Sequence, residues 1–158
     1  MRKQIIEEGA QKVPPADSGN WLDLEHLARV ELTSEDAQHP IESALIMNNG
    51  TGWRAQQPGK QTIRLQFDMP HRISRILLLF QENERPRTQE FVLRWSPGGK
   101  SAYREIVRQQ YNFSLPSVTR ELEDYAVELN GLSLLELCII PDISGGEALA
   151  SLAQLRLA

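Results

Sequence analysis

NNGTGWRAQQPGKQTIRLQFDMPHRISRILLLFQENERPRTQEFVLRWS, from Asn48 to Ser96, decides how this chain folds. It opens on a glycine-rich turn closed by Trp53 and continues as three strands in quick succession. In the first, Ile63, Leu65 and Phe67 face one way while Thr62, Arg64 and Gln66 face the other, the period-2 signature of a half-buried strand. The second, Ile73 to Phe80, is nearly all apolar after Arg75, as expected for a strand covered on both sides. The third alternates again, with Phe91, Leu93 and Trp95 opposite Val92 and Arg94. Read as helix, these residues would scatter their apolar side chains around the whole circumference. The stretch is the centre of a β-sandwich.

Outward from this centre, Leu27 to Thr33 reads as an earlier strand with Ala28, Val30 and Leu32 on one face. Between them, Pro40 followed by IESALIM suggests one or two helical turns. Residues 1–24 are polar, broken by Pro14, Pro15 and Gly19, and read as a lead-in to a single domain over 25–158. After the turn at Pro97-Gly98-Gly99, Arg104 to Tyr111 has a thin apolar face and suits a sheet edge. Thr119 to Leu129 changes parity between Leu122 and Tyr125, so a bulge is expected near Glu123 or Asp124. Asn130-Gly131 signals a turn, Leu134 to Ile140 a buried strand ended by Pro141, and Leu155 and Leu157 a last strand. Eight or so strands without a sustained helix make an all-β sandwich of jelly-roll type.

The bulk properties fit one globular domain. The 158 residues are 41% hydrophobic and 24% charged, with a formal net charge of −4. That length buries enough surface for a self-sufficient core. That charge gives no basic face for nucleic acid or anionic membrane. No segment approaches the ~20 apolar residues of a membrane helix. The start, MRKQIIEEGAQKVPP, lacks the apolar region of a signal peptide. Cys138 stands alone in LLELCII and reads as a small buried hydrophobe rather than a reactive thiol. A reducing cytoplasm is the expected location.

The order helical lead-in, N-G-T-G-W-R-A, G-K-Q-T-I-R-L-Q-F-D-x-P, I-S-R-I-L-L-L-F and a closing ASLAQLRL resembles the discoidin or coagulation-factor type C domains. These are galactose-binding-domain-like sandwiches, and the resemblance covers about residues 27–158. It implies an eight-stranded jelly roll whose loops at one end bind glycans, lipid head groups or protein surfaces, without catalysis. Such domains often hold a structural calcium between the turn before the tryptophan and a late glutamate. Here the turn offers Asn48, Asn49 and Thr51, and the late position is neutral Gln154. Calcium favours several charged oxygens, so no metal or other cofactor is expected.

If successive strands alternate in direction, loops 48–60, 81–88, 112–118 and 141–151 share one end, and the shorter 68–72, 96–103 and 130–133 the other. Binding residues gather on long loops of a rigid sandwich. The candidate ligand-binding residues there are Arg54, Arg85, Arg87, Tyr111, Asn112 and Asp142, with Gln56, Asn83 and Phe113 nearby. Arg forks and amides bond sugar hydroxyls or carboxylates, and aromatic rings pack on an apolar sugar face. Each has a structural alternative. Trp53 closes the core more readily than it stacks on a ligand. Arg85 and Arg87 can cap carbonyls or pair with Glu82, Glu84 or Glu90, Phe113 can plug the sandwich, and Asp142 can bond its own turn.

Catalysis has little support. His26, His39 and His71 lie at no metal-site spacing, and no nucleophile elbow, phosphate loop or CxxC pair occurs. Glu121 and Glu123 share a strand face but read as solvated charge. The expectation is a non-catalytic module for a carbohydrate or similar small polar ligand, which would show a concave pocket with an exposed aromatic beside Arg or Asn. The alternative is a protein–protein interaction module, with self-association through a sheet edge among its possibilities.

Overall fold

A computed structural model describes residues 21–47, 50–99 and 101–158. The expected lead-in over 1–24 thus lies almost wholly outside the described residues, as do Asn48 and Asn49 of the glycine-rich turn. In order the elements are α1 (Leu24–Leu27), β1 (Ala28–Leu32), α2 (Glu42–Leu45), β2 (Trp53–Arg54), β3 (Gln61–Gln81), β4 (Arg87–Ser96), β5 (Arg104–Phe113), β6 (Arg120–Ile140), β7 (Ser151–Leu152) and β8 (Gln154–Leu157). All strand pairing is antiparallel. The fold is an all-β sandwich.

Two 21-residue strands, β3 and β6, organise it. The first part of β3 pairs with β1 and with residues 134–139 of β6. Its last part pairs with residues 120–126 of β6 and with β8. Between them the ladder slips at Gln66/His71, His71/Ile73 and Ile73/Arg75. The ribbon therefore turns a corner. One layer is β1-β3-β6-β4-β5, and the other is made of the far halves of β3 and β6 with β8. Phe80 of one layer meets Phe91 of the other with ring centroids 5.1 Å apart.

This corrects three expectations. The segments 68–72 and 130–133 are not hairpin turns between separate strands. Both strands bend together there, keep the His71–Leu132 pairing across the bend, and use positive φ at Gly131 (+76°) to do so. The parity change in β6 falls opposite the Ile73/Arg75 slip, between Ala126 and Leu129, and not at Glu123 or Asp124. The residues from Arg120 to Ala126 stay in register with β3 throughout, so Glu121, not Leu122, points into the sandwich. Glu121 is 2% exposed, and its reading as solvated charge is wrong.

The alternation in the first two segments of the deciding stretch is as expected, whereas in β4 Val92 is buried along with Phe91 and Leu93, and Trp95 is only half-buried. Ile63, Leu65 and Phe67 are buried while Arg64 and Gln66 are exposed, and Ile76 to Phe80 is buried on both faces. β5 lies at a sheet edge with a thin apolar face. Trp53 is 1% exposed, with its indole N–H donating to the Ser34 carbonyl at 3.0 Å. Buried aromatic surface of this kind contributes most of what holds such a core together. Cys138 is buried. Among the described residues, no helix is long and apolar enough to cross a membrane.

Candidate functional site

The long loops do gather at one end. Asp36 N–H donates to the Arg54 carbonyl at 2.8 Å, and Arg54 N–H to the His39 carbonyl at 3.2 Å. These bonds tie the loop after β1 to the turn bearing Trp53. The Arg54 guanidinium reaches Glu84 at 3.1 Å, linking that turn to the 82–86 loop. Glu82 N–H donates to Thr119, and Ile143 N–H to Thr88. At the opposite end the 96–103 segment meets the corner of β6, where Gly98 lies against Ser133.

Arg87 is the internal brace of the loop-rich end. Its side chain has no exposure and pairs with Glu82, itself 4% exposed. Every nitrogen of its fork is used: Nε donates to Glu82, Nη1 to Gln89 and to the Pro141 carbonyl, and Nη2 to Ser151 at 3.5 Å. The guanidinium also stacks 4.7 Å over Phe113, which is 1% exposed and plugs the sandwich. Burial pushes the Glu82 carboxyl up, but Arg87 and the N–H groups of Glu84 and Arg85 outweigh that and hold it below the usual range. Arg87 cannot reach a ligand. Its place among the recognition residues is corrected by its burial.

A second polar chain leads inward from Arg87. Gln89, fully buried, donates to Glu121 at 3.2 Å. Burial, and then a hydrogen bond and charge repulsion with Glu123, push the Glu121 carboxyl up to about 9, so it holds its proton at neutral pH. Glu123 also accepts from the Tyr125 hydroxyl, whose titration burial and Glu123 both drive upward.

Above the brace lies a polar hollow of about 140 Å3, of the order of one sugar ring, lined by His39, Thr51, Trp53, Arg54, Gln81, Asn83, Ser151, Leu152 and Ala153. Trp53 and Leu152 form its hydrophobic floor, and Ser151 joins the floor to Arg87 and to the Gln81 carbonyl. His39 is oriented by Asp36, whose carboxylate lies 3.2 Å from Nδ1. The Gln38 N–H and then His39 hold the Asp36 carboxyl below its ordinary range. Fixed donors and acceptors over a rigid apolar floor are what a small polyhydroxylated ligand needs.

Of the expected site residues, the structure brings only Arg54 into this pocket, together with Asn83. Arg85 is exposed on the adjacent loop, with no side-chain hydrogen bond or ion pair among the described residues. Tyr111 and Asn112 sit further along, at the end of β5. The Tyr111 hydroxyl donates to the Arg120 carbonyl at 2.8 Å, and Asn112 accepts from Thr88. Asp142 accepts from the Ser144 N–H and hydroxyl, the closed turn that such a residue makes on its own. These bonds outweigh burial and lower its carboxyl. The expected exposed aromatic is also missing: Trp53 is floor, and no aromatic among the described residues stands fully exposed.

Gln81 and Ser151 were not singled out by sequence, and His39 and Thr51 entered it only in weighing a metal site, not as ligand-binding residues. They come from four separate segments, and only the Asp36-to-His39 spacing next to Pro40 gives a local hint. Elsewhere, Asp23, just before α1, and Glu25 and His26 on it bring exposed ligand atoms together.

No protein-family model matches the sequence, and no curated protein is found similar to it. Solved structures are similar in fold. A family 32 carbohydrate-binding module from Clostridium perfringens NanJ, in complex with galactose, superposes with a TM-score of 0.64 at 13% identity, covering 87% of this chain and 96% of that one. Another module of the same family and organism, in complex with GalNAc-β-1,3-galactose, gives 0.65 at 16%, covering 87% and 99%. A Ruminococcus gnavus GH29 fucosidase gives 0.64 at 8%, covering 86% of this chain but 26% of that chain. The likeness is one of fold: these modules share the antiparallel β-sandwich described above.

Proposed function

We propose that this domain is a non-catalytic carbohydrate-binding module whose ligand sits in the hollow between His39, Arg54, Asn83 and Ser151. The single observation behind this reading is that hollow: sugar-sized, polar-walled, floored by the buried Trp53 and braced by a fully bonded Arg87. Its position at the loop-rich end of a jelly roll supports it, as do similar folds solved with galactose and GalNAc-β-1,3-galactose bound. Among the described residues the strongly shifted carboxyl, Glu121, is sealed in the core away from the hollow.

Tight association through the sheet edge is less favoured. β5 carries Arg104, Glu105 and Arg108 along the edge, and charge there resists strand addition. The large hydrophobics exposed among the described residues, Met47, Met69 and Ile143, lie in separate segments. The lone Cys138 is compatible with our proposal of a reducing, cytoplasmic setting.

Titration calorimetry against neutral and acidic monosaccharides tests the ligand reading. Binding that falls at least tenfold in both Arg54→Ala and Asn83→Ala, with unchanged far-UV spectra, supports it; each lost charged or neutral hydrogen bond contributes about 0.5–3 kcal/mol. A folded protein that binds none of the sugars overturns it.

A further inference from the structure

We propose that the pocket selects a sugar bearing a carboxylate, a uronic acid, and that Glu84 competes with that carboxylate for the Arg54 guanidinium. This rests on the carbohydrate-binding reading above.

Three observations point to a carboxylate. The first is the slight aromatic platform: Trp53 floors the pocket but is only 1% exposed, so it offers a neutral pyranose little ring surface, and recognition falls to polar groups. The second is the charge of the wall. Arg54 lines the hollow and no Asp or Glu is among its lining residues; Glu84 meets Arg54 from outside that lining.

The third is the state of the two arginine forks. Arg87 has every nitrogen engaged. Arg54 makes one side-chain bond, from Nη1 to Glu84, and its Nε and Nη2 have no partner among the described residues. A guanidinium with unused parallel donors is suited to bidentate capture of a carboxylate.

The pair is also built to be exchanged. Arg54 is 21% exposed and fixed through both its backbone N–H and carbonyl, whereas Glu84 is 65% exposed on a loop. Holding an exposed pair together yields little free energy. A ligand carboxylate on the unused Nε and Nη2 that also brings hydroxyls to Asn83 and Thr51 draws the guanidinium away from Glu84 at small cost.

The test compares D-galacturonate, D-glucuronate and D-mannuronate with galactose, glucose and mannose by calorimetry. It uses the full chain as wild type, Glu84→Gln and Arg54→Lys, at low and at high salt. The expected result is at least one acid bound roughly tenfold more tightly than its neutral parent, as a charge-assisted bidentate pair provides. Glu84→Gln widens that gap several-fold, Arg54→Lys closes most of it, and high salt narrows it by screening. Equal affinity for acid and parent, with Arg54→Lys weakening both alike, overturns the uronate inference and leaves the carbohydrate-binding reading standing. A folded protein that binds none of the six overturns both.

Discussion

Arg87 and Arg54 show how one residue type serves two ends in a single loop cluster. Flanking Pro86, Arg87 looked like a loop residue, yet it starts β4 with inward parity and is consumed by Glu82, Gln89, Pro141 and Ser151. A buried guanidinium is tolerated only when its charge and donors are all met. Removing it strands Glu82, so Arg87→Ala should cost about 3–5 kcal/mol. Urea unfolding reads this as a lower midpoint, and a loss below 1 kcal/mol would mean the ion pair contributes little. Arg54, by contrast, enters on the two-residue strand β2 beside the turn and keeps its head at the rim. The local sequences Trp-Arg-Ala and Pro-Arg-Thr do not distinguish the two fates; which face of which strand each lands on does.

At the scale of elements, the ribbon of β3 and β6 and the turn before β2 place the site. The ribbon's corner lets one pair of strands serve both layers, and it brings the 81–88 loop back over the end where the Trp53 turn lies. Gly52 makes that turn fit. Its φ is +77°, and an added Cβ would stand 2.8 Å from both the Ala153 Cα and the Leu152 carbonyl. Gly131 also has positive φ, but a Cβ there meets open space. Gly131→Ala should therefore cost only the conformational penalty of about 1–2 kcal/mol. Gly52→Ala adds the clash with the β7–β8 backbone, of order 1–3 kcal/mol more, and should weaken sugar binding by shifting Thr51 against Ala153. Thermal unfolding of the two variants, with calorimetry on Gly52→Ala, checks the order; equal costs would show that the close approach relaxes freely.

For the whole molecule, buried carboxyls predict the pH dependence of stability. Glu82 and Glu136 are held low: burial pushes each up, but Arg87 for Glu82 and Arg64 for Glu136 outweigh it. Their contribution is complete above the unfolded value of about 4.5 and is lost as pH falls through their folded values. Glu121 has the opposite sign. Its folded value near 9 means that above about 4.5 the unfolded chain has released a proton the native state keeps. Stability therefore declines from there towards pH 9, at up to about 1.4 kcal/mol per pH unit. Maximal stability should fall on the mildly acidic side of neutral, and Glu121→Gln should flatten the alkaline limb. Unfolding midpoints from pH 4 to 9 test this; an alkaline slope unchanged in the variant would place the titrating group elsewhere.

Sequence by itself determined the fold class, most of the strand-forming segments, the edge position of β5, the burial of Trp53 and the loops that share an end. These follow from side-chain parity, glycine and proline positions and apolar runs, which are local and survive in one dimension. Tertiary structure alone decided that 68–72 and 130–133 are corners, because a bend and a hairpin use the same turn residues and differ only in what the next segment pairs with. It also decided that Glu121 and Arg87 are interior. A long polar side chain is buried when partners from other strands meet it, and those partners lie up to 64 residues away, as Ser151 does from Arg87. The pocket is of the same kind: His39, Arg54, Asn83 and Ser151 share no motif, and become one site only when four segments close over Trp53.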